Sequence, residues 1–82
     1  MRVKFHGYNF GDRMLEGVFF QADIDNGVVS NVAIDPGSDG RYWEGLNHKK
    51  WLAEGKAFLE RHLKSHGSLE AMIGDEIVEP VV

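Results

Sequence analysis

Val18-Phe19-Phe20-Gln21-Ala22-Asp23-Ile24-Asp25-Asn26-Gly27-Val28-Val29-Ser30-Asn31-Val32-Ala33-Ile34 decides the fold. Two runs rich in β-branched and aromatic residues, the first reaching back to Met14, flank the turn formers Asp25-Asn26-Gly27. The stretch therefore reads as a β-hairpin over residues 14–34. A two-residue turn at Asn26-Gly27 would pair Ile24 with Val29 and set Asn31 and Asp35 among the apolar side chains of the first strand. A three-residue loop, Asp25-Asn26-Gly27, moves the pairing by one residue. Ile24 then faces Val28, Ala22 faces Ser30, Phe20 faces Val32 and Val18 faces Ile34, so one face is apolar but for a serine. Because a slip of one residue exchanges the faces, the second register is the one expected. The opposite face carries Phe19, Gln21, Asp23, Val29, Asn31 and Ala33, mostly polar, with Phe19 its one large apolar side chain.

Outward from the hairpin, Val3 and Phe5 alternate with Arg2, Lys4 and His6, the pattern of a half-buried strand. Residues Asn47 to His66 repeat with helical period. Asn47 suits the N-cap, His66 the negative end and Gly67 the residue just past it. Steps of 100° gather Trp51, Leu52, Gly55, Phe58, Leu59 and Leu63 on one arc. Lys49, Lys50, Ala53, Glu54, Lys56, Ala57, Glu60, Arg61 and Lys64 fall on the other. In the tail, Glu76 to Glu79 reads as a short strand with Pro80 at an exposed edge. Leu69 to Ile73 fits a strand or a helical turn. The expected fold is α+β in one domain, residues 1–82. It has an antiparallel sheet of three to four strands, the hairpin 14–34 at its centre, and one long amphipathic helix (about 47–66) across one face. That plan is shared by many small bacterial and phage domains and names no function.

With 82 residues there is room for one core. A chain of this size buries only about 60% of its unfolded surface. Cysteine is absent, which removes disulfides, thiolate metal sites and thiol nucleophiles together. No apolar run approaches the roughly 18 residues of a membrane span, and no apolar segment follows the basic start, so a cytoplasmic location and no membrane contact are expected. The net charge of −4 argues against nucleic acid as a partner. Glu54 and Glu60 interrupt the basic face of the helix, which reads as solvated and laced with ion pairs.

Candidate sites are few. His48, His62 and His66 fall within the apolar arc of the helix, and His62 and His66 stand at the i,i+4 spacing that can bring two imidazoles to one metal. A third ligand is wanting at any recognisable spacing; His6 or Asp75 would have to be brought there by the fold. No metal and no cofactor is therefore assigned. The loop Asp35-Pro36-Gly37-Ser38-Asp39-Gly40-Arg41 matches a calcium loop at Asp35, Asp39 and Gly40. It fails at Gly37 and at Leu46, where a glutamate should stand. It also lacks the Gly-Lys-Ser/Thr ending of a phosphate loop. Arg41, Tyr42 and Trp43 are residue types enriched at binding hot spots. No serine or carboxylate falls in a catalytic motif. The expectation is a small non-enzymatic protein-interaction module, binding another protein or itself as a homodimer through Phe19, Arg41, Tyr42 and Trp43 and through edge strands that a small sheet cannot hide. Two alternatives are a small-ligand or metal-binding domain using His62 and His66, and an acidic inhibitor that competes with nucleic acid for a protein partner.

Overall fold

The computed structural model describes residues 1–7, 17–36 and 48–81. Its elements run β1 (Arg2–His6), β2 (Phe19–Asp25), β3 (Val28–Ile34), α1 (His48–His66), α2 (Leu69–Gly74) and β4 (Glu79–Pro80). The strands form one antiparallel sheet in the order β3-β2-β1-β4, and α1 packs on it, so the fold is α+β. Consecutive strands pair most readily with each other, and β1 lies beside β2 for that reason. The hairpin consequently supplies one inner strand and one edge rather than the middle of the sheet.

The hairpin register differs from the one expected. Asn26 and Gly27 both have positive φ, 52° and 77°, as a two-residue type I′ turn requires. Asp25 pairs with Val28, Ile24 with Val29 and Asp23 with Ser30. That register alone would bring Asn31 and Asp35 to the core face. It does not, because a bulge intervenes: Gln21 pairs with Ala33 and Phe20 with Ile34, so β3 contains one residue more than β2 between these pairs. Asn31 takes φ 51°, a left-handed conformation that asparagine tolerates better than most residues. The turn keeps its preferred chemistry and the bulge restores the apolar face.

That face is the core. Val3, Phe5, Val18, Phe20, Ala22, Ile24 and Val29 come from the sheet, and Trp51, Phe58 and Leu59 from α1, each 5% exposed or less. Phe5 stacks on Phe20 at 5.7 Å and on Phe58 at 5.9 Å, joining β2, β1 and α1 through one column of rings. Leu52 and Leu63 pack partly against this core, while Lys49, Lys50, Lys56, Glu60, Arg61 and Lys64 point to solvent. Gly55 is buried within the helix, as its place on the apolar arc implies. Lys50 and Glu54 form an i,i+4 pair at 4.0 Å.

The end of α1 follows expectation: Gly67, at φ 84°, donates its N–H to Leu63 O at 2.9 Å. Ser68 then caps α2, its hydroxyl oxygen accepting the Ala71 N–H at 3.1 Å. Leu69 to Gly74 is thus helix, and Met72 is fully buried in the core. The last strand lies slightly later than expected, pairing Glu79 with Lys4 and Pro80 with Val3. Among the described residues no helix is long and apolar enough to cross a membrane.

Candidate functional site

Four places have chemistry beyond packing. The first is the outer face of the sheet, where β1 and β2 present the residues that alternate with the core. His6 stacks on Phe19 at 4.5 Å and Lys4 sets its ammonium 4.8 Å from the same ring, a cation–π contact. Phe19 is therefore half-buried beneath two polar side chains, not the open hydrophobe its position suggested. His6 Nε2 accepts the Gly17 N–H at 3.0 Å, which places the imidazole proton on Nδ1. Further along the face, Arg2 donates from Nε to Gln21 Oε1 (3.1 Å) and from Nη1 to Asn31 O (3.0 Å), and lies 3.2 Å from Asp23 Oδ1. Asn31 Nδ2 donates to Asp23 Oδ2 at 2.9 Å, and Gln21 Nε2 to the buried Asp35 at 2.6 Å. The Asn31 hydrogen bond, then that from Arg2, holds the Asp23 carboxyl below the usual aspartate range.

The second is an open groove of about 400 Å³ whose lining includes Lys4, His6, Phe19, Ile73, Ile77, Glu76, Glu79 and Pro80. Both signs of charge line it, and Lys4 stands across from Glu79 in the β1–β4 pairing. Glu76 takes φ 60° at the position after the α2 cap, where glycine is the usual residue. Its N–H bonds Ile73 O and the Ile77 N–H bonds Met72 O, both at 3.0 Å, the pair of bonds that closes a Schellman motif. Among the described residues no serine or threonine lines the groove.

The third is the junction of α1 and α2. The fold brings Asp75 to the helix histidines, as a third ligand would need, but to a different end. His66 Nδ1 lies 3.0 Å from the His62 carbonyl and Nε2 2.9 Å from Asp75 Oδ2. The His62 carbonyl and the Asp75 carboxylate are both acceptors, so each contact is a hydrogen bond when the facing ring nitrogen carries a proton. His62 lies against Phe58 at 4.4 Å and against His66 at 5.5 Å between centroids. Its Nδ1 is buried without a hydrogen-bond partner. Burial first, then His66 and Arg61, keeps the His62 pKa below the ordinary imidazole value. Among the described residues no three His, Asp or Glu side chains gather so as to hold a metal ion.

The fourth is the outer side of β3. Among the described residues no strand pairs there, and its seven residues include no charged side chain. Val28 is 63% exposed, and Ser30, Asn31 and Ala33 also face solvent. The opposite edge is built in the contrary way: β4 has two residues, Glu79 and Pro80. A charge and a missing N–H guard that edge against a further strand. Among the described residues only the open side of β3 offers a row of backbone groups, interrupted at the bulge; the sequence had pointed to edge strands in general, beside Phe19 and the Arg41-Tyr42-Trp43 cluster, without saying which edge. The signal available in the sequence was the lack of any charge from Val28 to Ile34. Arg41, Tyr42 and Trp43, like the Asn47 cap and the 37–41 loop, lie outside the described residues. Compared with protein-family models, with curated proteins and with solved structures, the chain matches none.

Proposed function

We propose that this chain is a small non-enzymatic protein-interaction module that receives a partner strand along the outer side of β3, the partner being another protein or a second copy of itself. The observation that supports this reading is the contrast between the two sheet edges. An uncharged seven-residue edge favours strand addition, whereas the edge at Glu79 and Pro80 resists it. The bulge at Asn31 divides the edge into two short regular pieces, Val28 to Ser30 and Val32 to Ile34, which suits a partner that grips both ends. Arg41, Tyr42 and Trp43 follow β3 in the chain and supply the residue types from which binding hot spots are made.

The test is light scattering behind size exclusion over a concentration series, with pull-down from a lysate as its second arm. Lysines at two exposed β3 positions, Val28→Lys with Ala33→Lys, should abolish self-association or partner capture while leaving the thermal transition in place. Association that survives both lysines removes the β3 edge from the proposal. If it then falls with Arg41→Ala and Trp43→Ala, the contact belongs to that cluster.

A further inference from the structure

His62 is held in a seat that suits only its neutral form. Its Nδ1 is the buried side-chain atom that has no hydrogen-bond partner among the described residues. Folds seldom leave such an atom without a reason. On its own helix the charged neighbours are Arg61 and His66, and Phe58 lies against the ring. Asp75, past the end of α2, is spoken for by His66 at 2.9 Å, and Glu70 on α2 is exposed. β3, against which α1 packs, has no ionisable side chain, and the core face of β1 and β2 is apolar. Among the described residues, the ionisable groups that bear directly on His62 are thus bases.

A proton added to His62 Nδ1 meets no acceptor among the described residues, and the His66 ring stands 5.5 Å away. Water is its nearest relief, and reaching water takes the ring off Phe58. The last turn of α1 holds both the His62 carbonyl and His66, so the two rings share one short stretch of backbone.

We propose that His62, His66 and Asp75 form an acid-sensitive latch: neutral His62 seated on Phe58 lets His66 clasp Asp75 and hold α2 against α1, and a proton on His62 releases α2 and uncovers Met72. The sign follows from linkage. His62 in the closed junction takes up its proton at lower pH than the same ring in water, whose reference value is 6.5. The closed form is therefore fully favoured above that value and loses its advantage as pH falls below it, until the seated ring also titrates.

Backbone amide exchange, corrected for intrinsic rates, tests this at about pH 7.5 and about pH 5.5 on either side of the imidazole range. Protection of the amides from Leu63 to Asp75 should fall between the two pH values relative to those of β2, since the closed junction has the lower proton affinity. His62→Phe keeps a ring on Phe58 that cannot charge, and its junction should show no such loss. Asp75→Asn should leave α2 poorly protected at both pH values. An unchanged loss in His62→Phe, or no loss in the native chain, overturns the latch. Should His62→Phe fail to fold, proton NMR titration of the native His62 ring decides: a ring that titrates at the ordinary imidazole value overturns the proposal, and one that titrates below it together with the α2 amides supports it.

Discussion

The two faces of the sheet are written in the same strands, one residue out of step, and they hold together by different physics. On the inner face Val3, Phe5, Phe20, Ala22 and Ile24 are 3% exposed or less and contribute area. On the outer face Arg2, Lys4, His6, Phe19, Gln21 and Asp23 are only partly covered and contribute directed pairs. Area depends on which face a residue takes, whereas pairs depend also on which residue stands opposite. Arg2 reaches Asn31 O, the carbonyl of the residue whose left-handed backbone makes the bulge. The outer network is therefore tuned to a bulge that exists to serve the inner face.

The sharpest way to break the contrast is at the core. Phe20→Ala should cost about 3–5 kcal/mol by urea denaturation, most of the stability of a small domain. A loss as small as that of an outer-face residue would mean that the inner face is not the core. Asn31→Val places a β-branched residue at a positive φ and should cost about 1–3 kcal/mol. Asn31→Gly, which accepts that backbone, should cost less although it too loses the bond to Asp23. Equal losses would show that the side-chain bond, not the backbone, is what the bulge needs. Phe19→Ala should cost roughly 1 kcal/mol, since the ring is half-buried and gives up one stacking and one cation–π contact. The smallest effect belongs to Asp23→Asn. Because the native carboxyl titrates below its unfolded value, its contribution is present above that value and lost as pH falls through the folded one. The variant should show a slightly flatter acid limb in a pH series of melting temperatures; an unchanged limb would make the Arg2–Asp23–Asn31 group incidental to stability.

Much of this architecture was legible in the residues. The alternation in Val3 and Phe5, the hairpin runs, the apolar arc from Trp51 to Leu63 and the Gly67 stop each correspond to an element in place. The hairpin register was misread because two local rules conflicted, and turn preference was sacrificed to facial pattern. The fold satisfies both by inserting a residue, and the one clue was an asparagine mid-strand, able to adopt left-handed φ. The segment after Gly67 was ambiguous because Leu69 to Ile73 is too short for its period to decide between strand and helix. Ser68 as a cap resolved it. Of the site residues, Phe19 was located on the correct face but not beneath Lys4 and His6, since cross-strand neighbours depend on which strands pair. The meeting of His66 with Asp75 depends on the turn between two helices, and no spacing rule reports that.

The hydrogen bonds that flank residues 8–16 have a consequence for the pairing of β1 with β2. Gly7 N–H bonds Val18 O at 2.8 Å and Gly17 N–H bonds His6 Nε2 at 3.0 Å, so the strand ends on either side of that segment are tied to each other directly. The register of β1 and β2 is thus closed by one backbone rung and one in which an imidazole stands in for a carbonyl acceptor, in addition to their five paired positions.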